Sequence, residues 1–109
     1  MLNSLLRKSV QPYMISWFKY DPSVEIQKLR IPVLIIQGTN DIQVTTEDAK
    51  RLSKANPKAQ LILIDKMNHV LRFVNGDRDA NVKTYSNPSL PLVDNLIKDI
   101  TAFILKNKF

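Results

Sequence analysis

The fold of this chain is decided by residues 31–65, IPVLIIQGTNDIQVTTEDAKRLSKANPKAQLILID. Two short, continuous apolar runs, residues 33–36 and 61–64, lie near its two ends. Runs of this length and composition are typical of strands that are buried on both faces, as in parallel sheets. The first run ends in polar Gln37, flexible Gly38 and a turn-forming Thr-Asn-Asp, and the second ends at Asp65.

The segment between the two runs predicts a helix. Thr45 to Asp48 has the form of a capping box with an acidic first turn, and Asn56-Pro57 ends the helical pattern. Cations near a helix C-terminus are favourable, and the residues in that position are Lys50, Arg51 and Lys54. We expect Ala49, Leu52 and Ala55 to face inward. Strand, helix and strand form a βαβ unit, whose crossover is almost always right-handed.

The N-terminal flank predicts helix. Leu2, Leu5, Leu6 and Val10 recur at helical spacing, and Pro12 can open a second helical segment. That segment has an apolar face formed by Met14, Trp17 and Phe18, and Asp21-Pro22 is expected to end it. Such a face suits packing against other protein, a membrane surface, or the wall of a pocket for an acyl group, and we expect packing.

The C-terminal flank combines a loop and a helix. Residues 75–91 are rich in Asn, Asp, Ser and Pro and predict a long surface loop. Its Asp77, Asp79 and Asn81 imitate the start of a calcium loop, but Val82 and Pro88 stand where that loop needs glycine and glutamate. From Leu92 onward an apolar stripe at helical spacing predicts a terminal amphipathic helix.

Composition narrows the class of protein. A chain of 109 residues with 44% hydrophobic content suits one α/β domain or part of one. The absence of cysteine excludes disulfides and thiolate metal sites, and one histidine with scattered carboxylates gives no convincing metal ligand set. No apolar run reaches the length of a membrane span, and no signal peptide is evident, so we predict a cytoplasmic protein without a membrane span. The net charge of +6 comes from scattered basic residues without interleaved aromatics, so we expect no nucleic-acid partner.

Two residue types needed for acid–base catalysis follow the two apolar runs. Asp41 lies a few residues beyond the first run, and His69, the single histidine, lies beyond the second. Because the carboxyl ends of neighbouring parallel strands meet at one edge of a sheet, these side chains are expected to emerge together. An aspartate there can accept the Nδ1 proton of the histidine, which leaves Nε2 to take a proton from a nucleophile. Taken singly, Asp41 is also explained as a turn residue and His69 as an ordinary loop histidine.

The order of these features resembles the C-terminal part of an α/β-hydrolase of the serine esterase, lipase and aminopeptidase type. The resemblance covers residues 24–109 and is most specific in the Gly-x-x-Asp-x-x-Val turn of residues 38–44, followed by a capped helix, a second strand and Asn68-His69. It implies an α/β fold of short parallel strands flanked by helices, with Asp41 as the triad acid and His69 as the base. Residues 1–23 would correspond to the end of a cap or lid.

The chain departs from this family in lacking a nucleophile. Neither Gly38 nor Gly76 lies two residues from a serine, so no nucleophile elbow is present. We therefore expect a C-terminal fragment that is inactive alone, from a parent that hydrolyses a small-molecule ester or amide through an acyl-enzyme without a cofactor. The competing hypothesis is a non-enzymatic α/β interaction module. Because a sheet cut from a larger one leaves unpaired edges, we also expect the isolated chain to self-associate.

Overall fold

The computed structural model describes residues 6–107, which form a mixed α/β structure. In chain order the elements are helix α1 (Gln11–Phe18), helix α2 (Pro22–Gln27), strand β1 (Leu34–Gly38), helix α3 (Thr46–Ala55), strand β2 (Gln60–Ile64), helix α4 (Arg78–Thr84) and helix α5 (Leu96–Asn107).

The sheet consists of β1 and β2 in parallel, with Leu34 opposite Gln60 and Gly38 opposite Ile64. Helix α3 connects the two strands and packs on both. The predicted βαβ unit is therefore confirmed. Among residues 6–107 neither outer edge of the sheet pairs with a third strand, and self-association through these edges stays a prediction.

Helix α3 begins where its sequence predicts. The Thr45 hydroxyl accepts the backbone N–H of Asp48 at 3.3 Å, which satisfies one of the N–H groups that have no partner within the helix. Ala49 is buried against the sheet at 3% exposure, as expected for the inward face. Asn56 caps the C-terminus, and Pro57, which has no N–H, follows it.

The hydrophobic core is small. Ile64, Met67 and Leu96 are buried together, and α5 contributes Leu96 from its first turn. Four partly buried side chains surround them: Ile36, Ile62, Val93 and Ile100. The expectation of strands buried on both faces is only partly met, because Leu63 in β2 is 39% exposed.

Gly38 allows the two strand ends to approach closely. A Cβ atom at this position would overlap the backbone carbonyl group of Met67. The contact continues the parallel pairing beyond the strands, since the backbone N–H of Thr39 donates to the carbonyl of Ile64 and that of Asn40 donates to the carbonyl of Met67, each at 3.0 Å. The turns after β1 and β2 are therefore joined backbone to backbone.

The predicted surface loop of residues 75–91 is wrong in its centre, where α4 forms. The Asp77 carboxylate accepts the backbone N–H of Ala80 at 3.0 Å and caps this helix. Asparagine and aspartate favour both turns and helix N-caps, and here the capping role decides the structure. The aspartate that imitates a calcium ligand is thus a helix cap.

The terminal helix and the N-terminal helices also differ from their predicted bounds. Helix α5 begins at Leu96 rather than at Leu92. Leu2 and Leu5 lie outside the described residues, and α1 starts only at Gln11, with Pro12 in its first turn. Helix α1 ends at Phe18, three residues before the predicted stop at Asp21; the Asp21 carboxylate instead accepts the backbone N–H of Ser23 at 2.9 Å and starts α2.

Helix α1 buries none of its side chains within the described chain. Trp17 is 55% exposed and Phe18 is 83% exposed, while Trp17 and Tyr13 stack edge to face with ring centroids 4.9 Å apart. Their expected packing against other protein remains a prediction. Within residues 6–107, no helix combines the length and apolar character needed to cross a bilayer.

Candidate active site

Asp41 and His69 lie together at the carboxyl edge of the sheet. The turn after β1 carries Asp41, and the loop after β2 carries His69. Asp41 Oδ2 is 3.0 Å from His69 Nδ1, although the two residues are 28 positions apart in the chain. The parallel pairing of the strands is what brings these side chains within hydrogen-bonding distance.

The two carboxylate oxygens of Asp41 have separate partners. Oδ1 accepts the backbone N–H groups of Gln43 at 2.7 Å and Val44 at 2.9 Å, which is the bonding of an Asx turn. Oδ2 accepts from His69 and from Gln37 Nε2, the latter at 3.1 Å. The turn-residue explanation and the acid explanation of Asp41 are thus compatible, because each uses a different oxygen.

The pKa of Asp41 is lowered from its ordinary value of 3.8. Burial of the side chain, which is only 7% exposed, raises the pKa, but the hydrogen bonds donated by Val44, His69, Gln43 and Gln37 together lower it by more. Asp41 is therefore ionised at neutral pH. An ionised carboxylate can only accept a hydrogen bond, so neutral His69 carries its hydrogen on Nδ1 and has its lone pair on Nε2.

The loop that carries His69 is closed by its own hydrogen bonds. The backbone N–H of Asn68 donates to the carbonyl of Arg72 at 2.9 Å, and the backbone N–H of Arg72 donates to Asn68 Oδ1 at 3.0 Å. Leu71 adopts the left-handed region with φ of 65°, which a residue other than glycine rarely does. The His69 side chain is 42% exposed, and within residues 6–107 its ring forms a hydrogen bond only through Nδ1.

Gln37 supports the acid from within β1, a role that the sequence analysis missed. Its side chain is buried, and its Nε2 lies 3.1 Å from each of three acceptors: Asp41 Oδ2, the carbonyl of Gly38 and the carbonyl of Val44. The sequence does carry one sign of this role, a polar side chain at the end of an otherwise apolar strand, because buried polar groups need hydrogen-bond partners.

An open pocket of about 220 Å³ lies beside Asp41 and His69, which we call the dyad. Its lining combines the polar Gln37, Asp41, Asn68 and His69 with Ile36, Gly38, Val44, Met67 and Leu71. Among residues 6–107 no serine hydroxyl bonds to His69, and no three His, Asp or Glu side chains converge as metal ligands. The site therefore joins an acid and a histidine, and in the described part of the chain no serine hydroxyl is hydrogen-bonded to that histidine.

Comparison with known proteins returned no match, either to a protein-family model or to a curated protein. The geometry of the Asp41–His69 site therefore has to carry any functional assignment.

Proposed function

We propose that this chain supplies the acid and the base of a serine-type α/β-hydrolase whose nucleophile lies on a segment outside these residues. The parent would hydrolyse a small-molecule ester or amide through an acyl-enzyme. The observation that carries the proposal is the 3.0 Å hydrogen bond between Asp41 Oδ2 and His69 Nδ1 beyond the ends of two adjacent parallel strands. The resemblance of residues 38–44 to the acid turn of that family supports it independently.

The chemistry requires that the two side chains keep different protonation states. Asp41 stays ionised because its lowered pKa lies well below neutrality. It fixes the Nδ1–H tautomer of His69 and stabilises the imidazolium that forms when Nε2 removes a proton from a serine hydroxyl. As the tetrahedral intermediate collapses to the acyl-enzyme, the same nitrogen gives this proton to the leaving alcohol or amine. In the second half of the reaction it takes a proton from the attacking water and returns it to the serine oxygen. The half-exposed ring of His69 is compatible with the approach of such a hydroxyl.

Because the sequence has no nucleophile elbow, the proposed reaction requires a serine supplied in trans or by a longer chain. A strained Gly-x-Ser-x-Gly turn presents the serine in this family, and no serine of the sequence has glycines at both positions. The chain alone is therefore expected to be inactive.

The test has two stages. A fluorophosphonate probe is first applied to the purified chain and read by intact mass, and no adduct is expected. The chain is then combined with the N-terminal half of an α/β-hydrolase that carries the Gly-x-Ser-x-Gly turn, and ester hydrolysis is measured. We expect hydrolysis that falls by roughly 10⁴-fold in Asp41→Asn, because the wrong histidine tautomer is then stabilised.

Two variants control the hydrolysis test, one within the proposed site and one outside it. His69→Ala should abolish the complemented hydrolysis, whereas Asp94→Asn, which changes an exposed carboxylate before α5, should leave it unchanged. An adduct on one serine of the isolated chain would place the nucleophile within these residues and overturn the division of roles. Hydrolysis that is insensitive to Asp41→Asn would remove Asp41 from the triad.

The competing function is an interaction module without catalysis. The observation that favours it is the exposure of Trp17 and Phe18 on α1, where large aromatic side chains are available to a partner. It predicts that complementation yields no serine-dependent hydrolysis.

A further inference from the structure

The residues that directly precede the two dyad members are linked through a single buried side chain. Asn40 precedes Asp41, and Asn68 precedes His69. Asn81 Nδ2 donates to the backbone carbonyl of Asn40 at 2.6 Å, and Asn81 Oδ1 accepts from Asn68 Nδ2 at 3.1 Å. One carboxamide on α4 therefore bonds to both loops of the candidate site.

The bridge is buried, and its side-chain polar atoms all have hydrogen-bond partners. Asn81 is 0% exposed and Asn68 is 1% exposed. Asn68 Nδ2 also donates to the Thr84 hydroxyl at 2.7 Å, and Thr84 lies one helical turn after Asn81. Because Asn81 is inaccessible to bulk solvent, its loss would leave the Asn40 carbonyl and an N–H of Asn68 Nδ2 without these partners, and the loops would have to move to recover them.

Other links between the two loops lie nearer the strands. The backbone N–H of Asn40 donates to the carbonyl of Met67 at 3.0 Å, and the backbone N–H of Lys66 donates to the Thr39 hydroxyl at 2.8 Å. These bonds hold the bases of the loops, whereas the Asn81 bridge also reaches Asn68, the residue directly before His69. An attachment next to His69 fixes the ring orientation that its hydrogen bond to Asp41 requires.

We propose that Asn81 is a positioning residue that sets the relative orientation of Asp41 and His69. Helix α4, through Asn81 and Thr84, thus acts as a fixed support for the candidate site. The importance of this support for catalysis rests on the function proposed above, but the coupling itself is a property of the chain alone.

The single histidine makes the coupling measurable without activity. In the wild-type chain, the ¹⁵N signals of the neutral His69 ring are expected to be those of the Nδ1–H tautomer. In Asn81→Ala they should move toward a mixture of the two tautomers, and the ¹³C titration of the Asp41 carboxyl should shift upward toward its ordinary value of 3.8. Both changes follow from weakening the bond between Oδ2 and Nδ1.

Asn56→Ala is the matched control. Asn56 is also buried, at 8% exposure, and its Nδ2 donates to the backbone carbonyl of Ile26 at 3.0 Å. It lies at the end of α3, before β2 begins, so its loss removes a comparable bond at the opposite end of the sheet. We expect lower stability in this variant, with the His69 and Asp41 signals unchanged.

The possible outcomes distinguish failure of the positioning role from failure of the hydrolase function. Wild-type signals in a folded Asn81→Ala chain, or equal changes in Asn56→Ala, would overturn the proposal. If Asn81→Ala does not fold, Thr84→Val replaces it, since at nearly constant size it removes both hydrogen bonds of the Thr84 hydroxyl, the one from Asn68 Nδ2 and the one to the carbonyl of Asn81. An unmoved His69 tautomer there would also overturn the proposal, which assigns the support to Asn81 and Thr84 together. A shifted tautomer without hydrolysis after complementation of the wild type would refute the hydrolase function and leave the positioning role intact.

Discussion

Substitution of Gly38 by alanine tests the close contact between the backbones of Gly38 and Met67, on which the candidate site depends. Gly38 is buried at the end of β1, and an added Cβ would overlap the carbonyl group of Met67. Backbone cannot turn away as a side chain can, so the end of β1 and the turn after β2 must separate. The backbone hydrogen bond from Asn40 to the same carbonyl would be stretched as they do.

The expected loss of stability is about 3 kcal/mol. Overpacking in a closed site costs about 1–3 kcal/mol, and a rigid backbone partner places this case at the upper end. Weakening one buried hydrogen bond adds about 1 kcal/mol. Alanine also restricts the unfolded chain, which raises the free energy of unfolding by about 0.4–1 kcal/mol, because Gly38 does not occupy the left-handed region.

The assay is urea unfolding followed by circular dichroism at one fixed protein concentration. For a slope of about 1.5 kcal/mol/M, a loss of this size lowers the midpoint by about 2 M. The chain offers one matched control, because Gly76 is its only other glycine. A Cβ there would meet only the Cβ of Ala80, at 2.7 Å, in an exposed part of the chain. We expect Gly76→Ala to cost about 1 kcal/mol or less, since its neighbour can shift.

Equal midpoints for Gly38→Ala and Gly76→Ala would refute the reasoning. That result would mean that the strand ends can separate at no cost, and hence that the contact between Gly38 and Met67 does not position the loops.

Two other predictions concern Asp41 and α3. Because folding lowers the pKa of Asp41, its carboxylate contributes stability that is complete above pH 3.8 and is lost as the pH falls through the folded value. Asp41→Asn should therefore flatten this part of the acid unfolding curve. An unchanged curve would contradict the assigned hydrogen bonds. Thr45→Ala removes the N-cap of α3 and should lower the free energy of unfolding by about 1 kcal/mol in the same urea assay. Thr46→Ala, one residue further along, is the control, and an equal loss there would argue against the cap.

The sequence was sufficient for the features that depend on local pattern. Two apolar runs around a capped helix specify the βαβ unit, since each signal is confined to a few consecutive residues. The contact between Asp41 and His69 was expected because parallel strands bring their carboxyl ends together. The catalytic role of the pair stays a prediction, because in the described residues no serine hydroxyl is hydrogen-bonded to His69.

The features that were missed depend on long-range partners. In the sequence, Asn81 stands out only as part of an imitation calcium loop, and its two partners, Asn40 and Asn68, are distant in the chain. Nothing in local composition distinguishes a buried asparagine that bridges two loops from an exposed one. Helix α4 was missed for a related reason, because Asp77 favours a turn and a helix cap equally well.

The parallel order of β1 and β2 also has a kinetic consequence. Asp41 and His69 are separated by 28 positions, and the intervening chain includes all of α3. Closing a loop of this length has an entropic cost before the strands gain any pairing energy, so parallel crossovers form slowly compared with helices. The hydrogen bond between the two side chains is thus expected among the last contacts to form after dilution from denaturant. The ¹⁵N signal of His69 would then report the completion of folding, while helical circular dichroism would recover earlier.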